Sequence, residues 1–313
     1  MDSDPTVSDL VAPLREDVLS GASVLSRTAA DVLRRAAIRI QAGSLEELRW
    51  GLGEVCGAVL DAQPSMAPLV SLVRDVMVAV EGADSLEHGR HTASSAADAF
   101  RGALTDRIRR VAEAATTVLP VGGTVATLSS SATVRLLLES EAAPRGITVL
   151  CFESRPMNEG RDLAAALAAA GVDVVYAVDA AAHRLVPACQ AVVMGADSVG
   201  DRGVVNKIGS ALIAQTAHSA GVPVHVLADE TKVLPRGFPQ VLEDVRPRSE
   251  VWDAPSDVDV WNHYFEPVSL RYVTTLVTEG GAMSPDDFDR SRASIEFPAG
   301  LRAWVLGRGR MAE

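Results

Sequence analysis

Apolar residues recur at helical spacing through the first part of the chain. Between residues 23 and 42, Val24, Leu25, Ala29, Val32, Leu33 and Ala36 share one face while arginines lie off it, which predicts an amphipathic helix. Ser44 opens a second helix, because Glu47 stands three positions on, where a capping hydroxyl and a carboxylate each serve the other's backbone N–H. Leu48, Leu52, Val55 and Val59 continue it. Pro64 and Ser65 interrupt the pattern before a third apolar stripe of Val70, Val73, Met77 and Val80. A longer helix is predicted over 86–118, broken by Pro120, Gly122 and Gly123.

From Gly123 the period changes. Short β-rich runs at 125–128, 147–152, 172–178, 191–194 and 224–227 alternate with helical stretches at 132–141, 158–170 and 207–220, the last two closed by Gly171 and Gly221. That alternation predicts an α/β fold, a parallel sheet with helices on both faces. A helical part is expected over 1–121 and the α/β part over 122–313. In such sheets ligands bind beyond the carboxyl ends of the strands, so the chemistry is sought there.

Composition narrows the function class. A net charge of −12 over 313 residues argues against a nucleic-acid or anionic-membrane surface, which needs clustered Lys and Arg. No apolar run reaches the ~18 residues of a membrane span, and the acidic start, Met1-Asp2-Ser3-Asp4-Pro5, lacks the apolar stretch of a secretory signal. Cys56, Cys151 and Cys189 are scattered and odd in number, which fits a reducing cytoplasm. His88 and His91 have no further ligand nearby and read as a solvated pair, so no metal or cofactor is expected. Of 29 basic residues only Lys207 and Lys232 are lysines, and asparagine occurs only at Asn158, Asn206 and Asn262. In a chain rich in Ala, Arg, Gly and Val, such a residue either survives by chance or marks a position that tolerates no substitute.

The strand ends carry a coherent set of residues. After the first strand come Ser129, Ser130 and Ser131 at a helix start, where unpaired N–H groups and small hydroxyls suit a phosphate or simply cap the helix. After the second, Arg155 can fork onto a phosphate or carboxylate, or pair with Glu153. Asp197 follows the fourth strand as a candidate acid/base, or as a partner for Lys207. Asn206 and Lys207 open the predicted 207–220 helix, where a cation opposes the helix dipole and calls for an anionic ligand or Asp197. Asp229, Thr231 and Lys232 follow the last of these strands. On one edge of one sheet, these read as a pocket for a small phosphorylated molecule.

Four segments also resemble a known family: Thr127-Leu128-Ser129-Ser130-Ser131, Glu153-Ser154-Arg155-Pro156-Met157-Asn158-Glu159-Gly160-Arg161, Gly195-Ala196-Asp197-Ser198-Val199 and Asn206-Lys207-Ile208-Gly209. A weaker late match runs through Tyr264-Phe265-Glu266-Pro267-Val268 and Thr278-Glu279-Gly280-Gly281, and a thin early one through Ser20-Gly21-Ala22-Ser23. They are similar to the alpha, beta and delta subunits of translation initiation factor 2B. Their metabolic relatives, methylthioribose-1-phosphate isomerase and archaeal ribose-1,5-bisphosphate isomerase, share the likeness. The resemblance implies a helical N-terminal domain, a Rossmann-like C-terminal domain, assembly into homodimers or larger homo-oligomers, and a sugar-phosphate pocket that includes Gly21 and Ala22. In the isomerases it implies a Cys and an Asp that move protons, or assist a hydride shift, between aldose and ketose. The Asp maps onto Asp197 and the Cys onto Ser129. A thiol near pKa ~8.5 titrates far more readily than a hydroxyl. The resemblance also implies, for bisphosphate isomerases, an Arg where this chain has Ser20.

Ser129 and Ser20 therefore lead to the expectation of a non-catalytic, regulatory, initiation-factor-2B-like protein that binds a phosphorylated sugar or nucleotide. The alternative is an aldose–ketose isomerase of a sugar 1-phosphate, favoured by intact Arg155, Asp197, Asn206 and Lys207. The tail over 294–313, with Phe297, Leu301, Trp304 and Leu306, either covers a subunit contact or packs on its own chain.

Overall fold

The computed structural model describes residues 6–17, 20–242 and 245–295, together with 297, 298, 302, 303, 305 and 307. Five helices precede the first strand: α1 (Val7–Glu16), α2 (Ala22–Arg39), α3 (Leu45–Ala62), α4 (Ala67–Glu81) and α5 (Leu86–Ala115). The stripes seen in the sequence meet in one core, with Leu25, Leu33, Leu48, Leu52, Leu72 and Val73 among its buried members. Ser44 caps α3, its hydroxyl accepting the Glu47 N–H at 3.2 Å. The Glu47 carboxylate reaches one residue further back than the expected reciprocal cap and accepts the Gly43 N–H at 2.7 Å. Helix α5 bridges the two parts of the chain. Ala93, Ala97, Phe100 and Leu104 belong to the helical core, while Val111, Ala112 and Ala115 pack under the sheet.

The α/β part runs β1 (Gly123–Leu128), α6 (Ala132–Arg145), β2 (Ile147–Phe152), α7 (Gly160–Ala169), β3 (Asp173–Ala177), α8 (Ala182–Leu185) and β4 (Ala191–Met194). It continues through β5 (Ser198–Gly200), β6 (Gly203–Lys207), α9 (Ser210–Ala220), β7 (Val224–Leu227), β8 (Phe265–Val268), β9 (Thr275–Thr278), β10 (Gly281–Met283) and α10 (Pro285–Arg292). The main sheet has the order β10-β9-β7-β4-β1-β2-β3. Its pairs are parallel except β9 with β10. One face buries Val125, Val149 and Val193 against α5, α6 and α7, and the other buries Ala126, Leu150 and Val192 against α8, α9 and α10. This three-layer arrangement is the expected α/β fold. Strands β5, β6 and β8 form a separate antiparallel sheet.

That second sheet corrects one expectation. Lys207 ends β6 and does not open a helix; α9 begins at Ser210. Strand β6 ends on the polar pair Asn206-Lys207, so its sequence has neither the alternation nor the continuous apolar run that announces a strand. In the tail, Phe297 stacks on Phe238 with ring centroids 5.1 Å apart, so this residue packs on its own chain. Leu301, Trp304 and Leu306 lie outside the described residues. All three cysteines are buried, and among the described residues no helix is long and apolar enough to cross a membrane.

Candidate active site

Strand β1 has β4 on one side and β2 on the other, so the chain order of the sheet reverses there. A cavity of ≈ 270 Å³ opens over the carboxyl ends of β1 and β4, where open α/β sheets place their ligands. Beyond β1, Ser129 adopts the left-handed conformation at φ 61°, which turns the chain from strand to helix within a few residues. Its N–H donates to Ser154 Oγ at 2.6 Å, and Ser131 caps α6 by accepting the Val134 N–H. Gly195, beyond β4, lies against Ser131; a Cβ there would come within 2.8 Å of the serine side chain.

The helical part closes the cavity from the other side. Among the described residues no side chain caps the start of α2, and the α2 N-cap Gly21 approaches the carbonyl of Ser130, to which a Cβ would lie 3.4 Å away. The first turns of α2 and α6 thus converge on one space, and the unpaired N–H groups of a helix start favour an anion. The Ala67 N–H donates to the Asp197 carbonyl at 3.1 Å, and Ser71 Oγ donates to the Thr231 carbonyl at 3.0 Å. These two bonds fasten α4 to the turns that carry Asp197 and Lys232.

Asp197 and Asn206 stand side by side across the β5–β6 hairpin, with the Asp197 N–H on the Val205 carbonyl at 2.9 Å. The Asn206 amide donates to Ser210 Oγ at 2.9 Å. Lys207 is 4 % exposed, and its ammonium lies 2.5 Å from Glu159 Oε1 and 4.7 Å from the centroid of the Tyr264 ring. The second Glu159 oxygen is buried without a hydrogen-bond partner among the described residues. Lys232 is 5 % exposed, and no carboxylate among the described residues pairs with it. The start of α9 is already filled. Glu266 Oε1 accepts the N–H groups of Gly209 and Ala211, both at 2.8 Å, and burial holds its carboxyl above the usual range.

Of the residues expected at the site, Gly21, Ala22, Ser129, Ser130, Ser131, Asp197, Asn206, Lys207 and Lys232 all line the cavity. Glu153 and Arg155 do not. Asp179 holds the N–H groups of Ser154 and Arg155 at 2.9 and 2.8 Å, the chain turns through Ser154 at φ 64°, and the exposed Arg155 guanidinium reaches the Val251 carbonyl at 3.2 Å. No ion pair joins Arg155 to Glu153 among the described residues. The counter-ion of Lys207 is also corrected: it is Glu159. Glu159, Arg135, Asp162, Met66, Tyr264 and Phe265 line the cavity as well, without having been assigned to it. Glu159 stood inside the second quoted segment, and the two aromatics inside the weaker late match. Nothing in the local sequence marks Met66. Cys151 is a core residue whose thiol burial pushes up to about 12. Among the described residues, no cluster of three or more His, Cys, Asp or Glu could hold a metal.

Residues 18–285 match the initiation factor 2 subunit family. The chain is 28% identical over 293 residues to a ribose 1,5-bisphosphate isomerase of Thermococcus kodakarensis, covering 89% of this chain and 91% of that protein. It is 29% identical to one of Pyrococcus furiosus, covering 89% and 90%. In fold it is similar to the crystal structure of a Pyrococcus horikoshii translation initiation factor, eIF-2B, with a TM-score of 0.78, 24% identity, and coverage of 90% and 98%.

Proposed function

The chain belongs to the initiation factor 2 subunit family, and from that premise we propose that it is an aldose–ketose isomerase of a phosphorylated pentose. The regulatory, non-catalytic role expected from Ser129 and Ser20 is corrected by the relatives. The Thermococcus and Pyrococcus proteins, related over most of the chain, are named ribose 1,5-bisphosphate isomerase. The observation that carries the reading is the placement of Asp197 and Ser129 in one cavity with two buried lysines, one of them without a carboxylate partner among the described residues. A buried ammonium is costly without an anion beside it, and a phosphate supplies one.

The chemistry follows from the groups present. Isomerising an aldose 1-phosphate removes the proton from C2 and breaks the bond between C1 and the ring oxygen, which takes up a proton. The resulting enol phosphate gains a proton at C1 as the C2 hydroxyl loses its own, leaving a ketone at C2. No oxidant or reductant is consumed. Asp197 is the carboxylate assigned to the proton transfers, since Glu159 is committed to Lys207 and Asp162 is exposed. The Ser129 hydroxyl donates a hydrogen bond to the sugar oxygen that carries charge, in place of a titrating thiol. Lys207 and Lys232 offset the phosphate charge.

The test is direct. Purified protein given ribose 1,5-bisphosphate, or a pentose 1-phosphate, should yield the corresponding ketose 1-phosphate by NMR. Asp197→Asn should reduce the rate ~100-fold or more. Absence of ketose with every pentose 1-phosphate tried would sink the proposal. Homo-oligomerisation belongs to the same reading. Trp252 and Trp261, 55% and 67% exposed between β7 and β8, support a covering subunit.

A further inference from the structure

Asp197 and Lys232 reach the cavity on two different stretches of chain that share little backbone pairing. Asp197 immediately precedes the β5–β6 hairpin, and Lys232 precedes a segment, 233–240, that runs alongside it. The two meet at one isolated parallel bridge, Val199 beside Val233, with the Leu234 N–H on the Val199 carbonyl at 2.9 Å. Lys232 is the residue before that bridge on one stretch, and Asp197 lies two before it on the other. Side chains supply further ties. Asp201, at the hairpin turn, accepts the Gly237 N–H at 2.8 Å and Arg292 Nη2 at 2.6 Å. Arg292 is the last residue of α10. It donates from Nε to the Leu234 carbonyl at 2.8 Å and from Nη2 to the Pro235 carbonyl at 3.3 Å. Its Nη1 donates to Asp289, three residues back on the same helix, at 3.0 Å.

Arg292 is 1 % exposed, and each of its three side-chain nitrogens has a protein acceptor. Neither Arg292 nor Asp201 is among the described residues that line the cavity, so neither touches a ligand there. Burying a guanidinium is an inefficient way to stabilise a fold, since a well-packed apolar side chain often does as well or better. What the guanidinium adds is direction: its rigid planar fork holds several acceptors at set distances. We propose that Arg292 is a positioning residue, clamping the 233–237 segment to the hairpin turn and so setting the spacing between Lys232 and Asp197. The clamp works against a competing pull. Leu234 and Phe238 insert into the helical core, whereas Val199 and Val233 belong to the core under the sheet. With the clamp broken, one bridge alone keeps the segment with the hairpin, and Lys232 is free to follow the helical part. What the spacing serves rests on the isomerase reading: a phosphate held by Lys232 brings the sugar's C2 to Asp197 only at one separation.

The experiment measures the Kd of inorganic phosphate by isothermal titration calorimetry, well below each variant's melting temperature. Asp201→Ala breaks the clamp at its exposed end and should weaken phosphate ~5- to 10-fold. Arg292→Lys keeps the charge without the fork and should lose about as much. Asp201→Asn keeps an oxygen for Arg292 to hold and should recover most of the affinity. The deciding comparison adds Lys232→Met. Because Arg292 acts through Lys232, Asp201→Ala should change Kd less than ~2-fold in that background. An equal loss in both backgrounds overturns the proposal. So does wild-type affinity in both Asp201→Ala and Arg292→Lys with only the melting temperature lowered, the mark of a merely structural role. Failure of the wild type to bind phosphate overturns it too. Given ribose 1-phosphate, Asp201→Ala should also lower kcat, and an unchanged kcat overturns the assignment of spacing. Absence of turnover in the wild type removes the isomerase reading alone, because the phosphate comparison still reports on the clamp.

Discussion

Lys207 and Lys232 are equally buried but electrically unlike: Glu159 pairs with the first, and no carboxylate among the described residues pairs with the second. Removing an unpaired buried charge relieves a penalty, whereas removing one member of a buried pair creates one. Lys232→Met should therefore raise the melting temperature of the ligand-free protein while weakening phosphate binding ~10-fold or more. Lys207→Met should lower the melting temperature, because it strands the Glu159 carboxylate. Scanning calorimetry with and without inorganic phosphate separates the two, and a fall in both variants would show that Lys232 has a partner after all. Ser129 offers a second test. Ser129→Cys places a thiol of pKa ~8.5 where a hydroxyl stands, so kcat should rise and become pH-dependent near that value. At this scale the rarity of lysine proved informative, since both lysines line the cavity. The direction of a side chain was not legible: Arg155 stands in a motif of the expected kind, yet Asp179, distant in sequence, turns it away.

Elements were legible where a period repeats often enough to be seen. Helices α2 to α5 and strands β1, β2, β3, β4 and β7 fall where the apolar spacing placed them, while β5, β6, β8, β9 and β10 were not placed by it. Helix α7 is seated by a single glycine. A Cβ on Gly160 would lie 1.8 Å from the Phe152 carbonyl oxygen, so the helix reaches the end of β2 only without a side chain there. Gly160→Ala should cost about 3 kcal/mol and displace Glu159, lowering both thermal stability and phosphate affinity. Calorimetry and a phosphate titration check it. Strand β7 carries a titrating group, His225, whose imidazole burial pushes down to about 4 from its ordinary 6.5. Between those values the unfolded chain takes a proton that the folded chain excludes. Stability from this group therefore rises with pH across 4 to 6.5 and is level above it, by about 3 kcal/mol in all. Glu266, raised by burial, acts in the opposite sense, contributing at low pH and losing that contribution as pH rises through its titration. Urea midpoints collected from pH 4 to pH 7 should show a shallower rise in His225→Gln; an unchanged slope would remove His225 as its source.

At the scale of the whole molecule, the cavity belongs to both parts of the chain. Gly21, Ala22 and Met66 come from the helical part, and Ala67 and Ser71 tie α4 to the turns of the sheet. A ligand bound there stabilises both parts together. At ~100 times its Kd a phosphorylated sugar should raise the melting temperature by about 4 °C in a single transition. Two separate transitions, with only one shifted, would show the parts unfolding independently. If a second copy covers Trp252 and Trp261, sedimentation should report a dimer or larger species, and Trp252→Glu should shift it toward monomer.

The alternation of apolar and polar residues was sufficient to set the helical part, the parallel sheet and the strand ends at which ligand-binding residues belong. Those depend on local periodicity and on the general geometry of α/β sheets, both of which one chain carries in linear order. Only the tertiary structure decided which strand ends share a cavity. The sheet reverses its order at β1, and neither β1 nor β4 announces that they will be neighbours. It likewise decided that Glu159 faces Lys207, that Arg155 points away, and that Arg135 lines the cavity. Contacts between residues far apart in sequence are set by how layers pack, and packing leaves no period for a sequence to display.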